Sequence, residues 1–455
     1  MNPEHSSLTE RLALRLAHPV DDASRRRAAL LVQDWLGCAL GALRYPLARQ
    51  LANVVRAADA GMATAIGIGR RSPESALLLN AALGNVLEMD DVHRSAILHP
   101  GPVVIPVALA ATEAAGGTAQ QFLDAVVRGY EATIRIGRSL GTEHYRYWHP
   151  TSTAGAFGAA EAAASVLGLD VEATADALGT AGSRTGGLWQ MRHEPVPTKS
   201  IHNAEAARSG WLAAQLTRAG LRGPRRILEG EQGLYAATTA HADPAAVCAA
   251  DDHWQIHGTS LKPWPACRHA HPTIDAMLAA MYDRPDADPR DIERIDVTTY
   301  VEAVRFCDRP QPRSELEAKF SLQHTVAVVA CFGRPQLAHY TPEVADLPEL
   351  QALRQRVAVH ADPAFSARFP MHYGAAVRVT MKDGRRMEAT CTDAWGDPER
   401  PMDSHAVRAK ALALAAWGGV SQGLATRLFD TADALVEGGS IRTLCQLLTE
   451  VPTCA

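Results

Sequence analysis

Stretches rich in alanine and leucine restrict the fold of this 455-residue chain more than any other feature. The segment RRAALLVQDWLGCALGAL (residues 26–43) has apolar residues at nearly every third or fourth position, the spacing of one helix face. The segment TAGAFGAAEAAASVLGL (residues 153–169) adds glycine and alanine, whose small size lets neighbouring helices approach closely. Because this character extends from about residue 8 to residue 240, we predict a mainly α fold with one large all-helical domain.

The sequence changes character after about residue 256. The segment DIERIDVTTY (residues 291–300) alternates β-branched residues, and AAVRVTMKDGRRMEATC (residues 375–391) predicts a hairpin that turns at Asp383-Gly384. Between them, residues 318–333 and residues 348–360 predict helices, and helical periodicity returns from Ser404 onward. We therefore expect residues 1–255 and 398–455 to form the helical domain, and residues 256–397 to form a smaller inserted α+β domain.

Composition limits the kind of partner. The net charge of −5 favours neither a nucleic acid nor a membrane surface. The eight cysteines are widely spaced and form no C-x-x-C pair, which is typical of reduced thiols in a cytoplasmic protein. The N-terminus lacks the uninterrupted apolar run of a secretory signal, and no stretch is apolar enough for a membrane span. These features predict a soluble, cytoplasmic protein that binds a small molecule.

An acidic cluster stands out in LEMDDVHRSAILHPGP (residues 87–102). Residues 75–87 predict a buried helix, so that Glu88, Asp90 and Asp91 fall at its C-terminal end, where the helix dipole disfavours negative charge. A carboxylate in such a place should have a raised pKa, which suits proton transfer. The alternative is that these acids are solvated loop residues beyond the helix.

Histidine precedes proline at the start of three apolar helical segments, at His99, His149 and His271. A helix N-terminus attracts anions, and a histidine beside it can donate or accept a proton. Helix entry alone would also explain each of these pairs, and His18-Pro19, which precedes a polar stretch, shows that the dipeptide by itself is a weak signal.

Two further segments supply basic side chains. Lys199 and His202 precede a helix predicted to start near Asn203. The segment SLKPWPACRHAHP (residues 260–272) lies between the two predicted domains and contains Lys262, Cys267, Arg268 and His271. Burying several cations is costly without anionic partners, and clefts between domains are frequent sites for small molecules. A surface linker would explain the same segment without a ligand.

Other kinds of site find weaker support. A metal site of Asp90 or Asp91 with His93, His99 and the HAH of residues 269–271 has suitable ligand types but lacks a recognised spacing. Cys267 as a nucleophile has no local signature, and a packed thiol is the simpler interpretation. GIGR (residues 67–70) is better explained as a turn than as a dinucleotide fingerprint, and GVSQG (residues 419–423) as a helix-ending loop.

Six ordered segments resemble the MmgE/PrpD family: NAALGNVLEMDDVHRSAILHPGPVVIPVALA, YWHPTSTAGAFGAAEAAASVLGLD, KSIHNAEAARSG, RRILEGEQGLY, LKPWPACRHAHPTIDA and AKFSLQH. The resemblance covers nearly the whole chain. It implies a large helical domain made of the N- and C-terminal parts, an inserted α+β lid domain and a homodimer. It also implies an active site between the domains that uses neither a metal nor an organic cofactor.

The resemblance assigns roles to residues of this chain. It gives the catalytic candidates as His99, His149, Asp90, Asp91 and Lys199, and the substrate-binding candidates as Lys262, His271, Cys267 and Glu88. Residue chemistry adds Arg268, His202 and His93 to the binding candidates. The chain departs from the family pattern at Glu88, where aspartate is usual, and at Gly101, which replaces the serine of a His-Pro-Ser motif. Cys267 stands where cis-aconitate decarboxylase has a histidine.

Members of that family break a bond at a carbon next to a carboxylate, which requires fixed cations and an acid/base pair. The resemblance therefore implies a cofactor-independent lyase, a dehydratase or decarboxylase, that acts on a small di- or tricarboxylate. An epimerase or isomerase of a dicarboxylate, such as an iminodisuccinate-like acid, is the alternative. A non-catalytic helical scaffold whose histidines only cap helices also stays open.

Overall fold

The computed structural model describes residues 6–194, 196–282 and 287–452. They divide into two compact units. Unit 1 contains the described residues up to Thr259 and from Asp403 onward, and unit 2 contains those of Ser260–Met402. The protein is mainly helical, with a small mixed sheet in unit 2, which confirms the predicted fold class.

Unit 1 begins with twelve of the described helices: α1 (Leu8–Leu16), α2 (Asp22–Gly41), α3 (Pro46–Arg56), α4 (Pro73–Leu83), α5 (Gly101–Ala115), α6 (Ala119–Tyr147), α7 (Pro150–Thr153), α8 (Gly155–Leu167), α9 (Val171–Gly182), α10 (Thr198–Arg218), α11 (Leu234–Thr238) and α12 (Ala245–Cys248). The strands β1 (Ala63–Ala65) and β2 (Gly69–Arg71) form a small antiparallel hairpin. Of the GIGR segment predicted to be a turn, Gly67 and Ile68 lie in the turn of this hairpin, whereas Gly69 and Arg70 belong to β2. Two further strands have two residues each, β3 (Val92–His93) and β4 (Thr259–Ser260).

Unit 2 contains seven helices in its described part: α13 (His271–Met281), α14 (Val301–Cys307), α15 (Glu315–Lys319), α16 (Leu322–Phe332), α17 (Pro342–Ala345), α18 (Pro348–Arg354) and α19 (Pro363–Arg368). Its strands are β5 (Ile292–Thr299), β6 (Val357–Ala361), β7 (Ala375–Met381) and β8 (Arg386–Cys391). They form one sheet in the order β6-β5-β7-β8, parallel between β5 and β6 and antiparallel elsewhere. The predicted hairpin is confirmed as β7–β8, with Gly384 at φ +85° in the turn.

The chain returns to unit 1 through α20 (Ser404–Trp417), α21 (Gln422–Asp433) and α22 (Ile441–Glu450). Residues 419–421 of GVSQG form the loop after α20, as predicted, whereas Gln422 and Gly423 already belong to α21. Helix α20 packs closely on α2, because a Cβ atom at Gly37 would lie 2.7 Å from the Cα atom of Ala411. Among the described helices, none combines the length and apolar character that crossing a lipid bilayer requires.

Short side chains start several helices. Ser7 caps α1 in a capping box with Glu10, and Asp21 accepts a 2.8 Å hydrogen bond from the Ser24 amide at the start of α2. Glycine allows the closest packing, since a Cβ atom at Gly158 of α8 would overlap the Thr133 hydroxyl of α6. The GAFG segment is therefore a helix contact, as predicted.

The structure corrects three predicted element boundaries. The helix predicted over residues 75–87 ends at Leu83, with Gly84 as its C-cap, and residues 84–87 form a turn. The helix predicted to start near Asn203 starts at Thr198 instead. The helix predicted over residues 348–360 ends at Arg354, because the alternating residues of β6 pair with β5.

Candidate active site

The acidic cluster lies in the loop between α4 and α5. Helix α4 ends at Leu83, so the predicted position of Glu88, Asp90 and Asp91 at its C-terminal end was wrong. All three acids are buried, so the alternative of a solvated loop was wrong as well. Glu88 has φ +58°, a left-handed conformation that is uncommon outside glycine. Lys410 of α20 donates hydrogen bonds to the Met89 carbonyl, at 2.6 Å, and to the Asp34 carboxylate, at 2.5 Å. This lysine ties the acidic loop to the helical core.

Asp91 is held by two donors inside unit 1. The Tyr130 hydroxyl donates to its Oδ2 atom at 2.8 Å, and the Gly101 amide donates to its Oδ1 atom at 3.1 Å. Burial, followed by the nearby charge of Asp90, raises the pKa of Asp91 to about 7. Asp91 can therefore change protonation state near neutral pH. The direction of the pKa shift is the predicted one, but its cause is burial and not the dipole of a helix end.

His99 is fixed by the two aspartates. Its Nδ1 atom lies 2.7 Å from the Asp91 carbonyl oxygen and 3.1 Å from Asp90 Oδ2. Both oxygens are acceptors, so Nδ1 must carry the proton, and Nε2 is the basic nitrogen of the neutral ring. The His99 amide donates to the Thr151 hydroxyl at 3.0 Å, which places the ring beside the start of α7.

His149, which is buried, pairs with His202, which is partly buried. Their Nδ1 atoms are 3.2 Å apart, so one ring must donate and the other accept. Burial is the first cause that lowers the pKa of both histidines, and it lowers that of His149 far below its usual value. The positive charge of Lys199 is the second cause for both rings. Both causes favour the uncharged form of the two rings.

Lys199 lies in the first turn of α10 and binds the acidic loop. Its Nζ atom donates to both carboxylate oxygens of Glu88, at 2.6 and 2.8 Å. His99 and Lys199 both contribute to the lowered pKa of His149, so these groups share one electrostatic environment. We call Glu88, Asp90, Asp91, His99, His149, Lys199 and His202 the acid–histidine cluster.

His93 does not join this cluster through its ring. The ring is buried against Gly258, where an added Cβ atom would lie 2.9 Å from Nε2. Burial, followed by the charges of Arg138 and Arg94, lowers the pKa of His93 to about 3. The arrangement is that of a packed neutral histidine.

The other four candidates belong to unit 2, where they are all buried. Arg268 forms an ion pair with Asp397, which also accepts a 2.6 Å hydrogen bond from Ser260. The anionic partner that the sequence required for this cation is thus supplied within the same unit.

His271 and Cys267 face the interior of unit 2. His271 is the first residue of α13, and its Nε2 atom is 3.1 Å from the Ala266 carbonyl oxygen. Cys267 contacts the buried thiol of Cys307. Lys262 is only 1% exposed.

Sequence reasoning missed several residues that shape the acid–histidine cluster. They are Asn85, Tyr130, Thr151, Trp189 and Lys410. Asn85 donates to Asp90 at 2.8 Å, and the Trp189 ring contacts that of His149 in a tilted arrangement, with the ring centroids 4.3 Å apart. Tyr130 and Lys410 lie within helices that look like ordinary core, so local sequence carries no signal for them.

A possible metal-binding group lies elsewhere. Within the described ranges, one set of side chains is arranged so that it could hold a metal ion: His372, Asp393 and Glu399 of unit 2. It includes none of the predicted site residues.

Comparison with known proteins agrees with this architecture. Residues 12–247 match the MmgE/PrpD N-terminal domain, and residues 264–430 match the MmgE/PrpD C-terminal domain. The chain is 24% identical over 415 residues to cis-aconitate decarboxylase of Aspergillus terreus, covering 86% of this chain and 84% of the relative. It is 26% identical over 363 residues to cis-aconitate decarboxylase of Mus musculus, covering 75% and 71%. It is 24% identical over 408 residues to 2-methylcitrate dehydratase of Escherichia coli, covering 78% of each. The two domain matches together span most of the chain, which therefore belongs to the MmgE/PrpD family.

Proposed function

We propose that this protein is a cofactor-independent lyase, a dehydratase or a decarboxylase, that acts on a small di- or tricarboxylate. The main support is the fixed orientation of His99, whose Nδ1 proton is held by Asp90 and Asp91 beside His149 and Lys199. The names of the relatives point to the same class of substrate, because cis-aconitate and 2-methylcitrate are both tricarboxylates.

His99 is the proposed proton carrier. With Nδ1–H held in place, Nε2 is the nitrogen that takes a proton from carbon or returns one to it. The Asp90 carboxylate, 3.1 Å from Nδ1, would stabilise the imidazolium that forms. His149 is the second candidate, and its neutral state at physiological pH suits a group that acts through an uncharged ring.

Lys199 is the proposed partner of a substrate carboxylate. Losing a proton or CO₂ from the neighbouring carbon builds negative charge on that carboxylate, and a fixed ammonium group stabilises the charge. Lys199 also lies in the first turn of α10, where the helix dipole favours anions. Substrate would compete with Glu88, which holds the same ammonium group before binding.

The decisive experiment is a substrate panel in deuterated buffer. Cis-aconitate, 2-methylcitrate, citrate and smaller dicarboxylates would be incubated with the protein and followed by NMR and CO₂ release. A decarboxylase releases CO₂ and places deuterium on the product, whereas a dehydratase loses water. An epimerase exchanges deuterium and inverts the carbon without either loss. A panel with no turnover, no exchange and no thermal stabilisation by any acid would contradict the proposal.

The variant Lys199→Ala tests the role of the cation. We expect kcat/KM to fall by about 100-fold or more, since a fixed charge at the developing anion is lost. Thermal stabilisation by the substrate acid should also disappear, because stabilisation follows ligand affinity. Lys382→Ala, on the exposed β7–β8 turn, is the control and should keep both properties. Activity should survive EDTA, and loss on chelation would contradict cofactor independence.

A further inference from the structure

We propose that Tyr130 is a positioning residue for His99, acting through Asp91, and that position 101 is glycine because the Tyr130–Asp91 pair occupies the space of a side chain there. The catalytic consequence rests on the proposed function, whereas the structural coupling does not. Tyr130 lies in α6, well apart in sequence from the acidic loop.

The contacts form a continuous chain. The Tyr130 hydroxyl and the Gly101 amide each hold one oxygen of the Asp91 carboxylate, at 2.8 and 3.1 Å. The backbone carbonyl of the same Asp91 accepts the Nδ1 proton of His99 at 2.7 Å. Side chain and carbonyl belong to one residue, so fixing the carboxylate fixes the acceptor that sets the tautomer of His99.

The lack of room for a side chain explains why position 101 is glycine. A Cβ atom at position 101 would lie 2.6 Å from Asp91 Oδ1 and 2.8 Å from the Tyr130 hydroxyl oxygen, closer than carbon and oxygen normally approach. The backbone of Gly101 is not left-handed, so conformational freedom does not require glycine here. The close approach of the Tyr130–Asp91 pair is the remaining reason. Where the resembling motif has serine, this chain has the Tyr130 hydroxyl beside the same point.

The pKa of Asp91 provides a way to measure the effect of Tyr130 on it. Asp91 is buried, and its charged form depends on the two donors. The hydrogen bond from Tyr130 lowers the pKa of Asp91 and so opposes the effect of burial. Removing the hydroxyl should therefore raise that pKa further, and the carboxyl should stay protonated to a higher pH.

The test compares Tyr130→Phe, Gly101→Ser and the double variant. We expect Tyr130→Phe to lower kcat about 10-fold or more with little change in KM. The limb of the pH–rate profile that reports the ionisation of Asp91 should move to higher pH. Gly101→Ser should be worse, because its side chain collides with the pair. The double variant should be more active and more stable than Gly101→Ser alone, since removal of the hydroxyl relieves part of the collision.

A second measurement does not depend on turnover. The nitrogen-15 NMR signals of His99, assigned with His99→Gln, report whether Nδ1 carries the proton. Wild type should show the Nδ1–H form, and Tyr130→Phe should show a mixture of tautomers. The control is Tyr340→Phe in unit 2, which removes a buried hydroxyl that has no hydrogen-bond partner among the described residues.

Two results would overturn the inference. One is a Tyr130→Phe variant with the wild-type His99 tautomer and the wild-type pH profile. The other is a double variant whose stability loss equals the sum of the two single losses, which would mean that positions 101 and 130 act independently. If no acid in the panel is a substrate but the NMR and stability results hold, the coupling stands and only the proposed reaction fails.

Discussion

At the residue scale, Glu161 is a buried carboxyl outside the acid–histidine cluster. It lies in α8, is 3% exposed, and its Oε2 atom has no hydrogen-bond partner in the described part of the chain. Burial raises the pKa of Glu161 to about 8, although the charge of Arg128 acts in the opposite direction. The side chain is therefore mostly protonated at neutral pH.

This carboxyl predicts a pH-dependent stability difference for Glu161→Gln. Because burial raises the pKa of the folded carboxyl above its ordinary value of 4.5, the stabilising contribution of the wild-type carboxyl is complete below pH 4.5 and is lost as the pH rises to 8. Glutamine cannot ionise, so the free energy of unfolding of the variant relative to wild type should rise by about 2–3 kcal/mol between pH 6 and pH 9, because each pH unit between 6 and 8 contributes about 1.4 kcal/mol. Urea unfolding at both pH values measures this gain.

The surface variant Glu437→Gln is the matched control, because its side chain is exposed. Its stability difference from wild type should stay nearly constant between the two pH values. A constant difference for Glu161→Gln as well would show that Glu161 does not hold its proton in the folded protein.

The sequence predicted which types of residue form the acid–histidine cluster better than it predicted the contacts that these residues make. The pairing of acids with histidines in residues 87–102 was visible, and the structure brings Asp90, Asp91 and His99 together. Lys410 was not predictable, because it reaches Asp34 across 376 residues of sequence. Such long-range contacts leave no local pattern.

At the element scale, helix α8 depends on glycine at its contact with α6. A Cβ atom at Gly158 would overlap Thr133 Oγ1 and lie 2.5 Å from the Gly129 carbonyl oxygen. Gly158→Ala should therefore destabilise unit 1 by about 1–3 kcal/mol, the usual cost of overpacking a close helix contact. Thermal or urea unfolding of the full chain measures the loss.

Gly423→Ala in α21 is the opposite case. Nothing lies within 4 Å of its added Cβ atom, so alanine should be neutral or stabilise the helix by up to about 1 kcal/mol through its higher propensity. Equal effects of the two substitutions would mean that helix propensity, and not close packing, decides the role of Gly158.

Helix periodicity predicted most elements, but it could not predict where some of them end. Residues 348–360 look helical throughout, yet residues 357–361 become a strand because β5 offers a parallel edge for pairing. This boundary follows from a tertiary contact that overrides local propensity.

At the scale of the whole molecule, helical periodicity after Ser404 suggested that the C-terminal helices return to unit 1, and the family resemblance implied the same. Helix α20 packs on α2 through Gly37 and Ala411, two small residues far apart in sequence. A periodic pattern identifies the buried face of each helix but not its partner.

The oligomeric state is the last expectation that the family resemblance raises. A cavity of about 640 Å³ on unit 1 is lined by the exposed apolar side chains of Leu188 and Val196 and by the partly buried Met191. Leu188 pairs with Trp148, the residue after the end of α6. Exposed apolar patches of this kind commonly mark protein interfaces. We therefore expect a homodimer that uses this surface.

Light scattering during gel filtration should give twice the chain mass of 48.7 kDa. Leu188→Glu should shift the protein toward the monomer, because a carboxylate would have to lose its water in the interface. Val54→Glu on α3, at a residue of similar exposure, is the control and should leave the mass unchanged. A wild-type mass equal to one chain would contradict the dimer itself. A dimeric Leu188→Glu variant would mean that a different surface forms the interface.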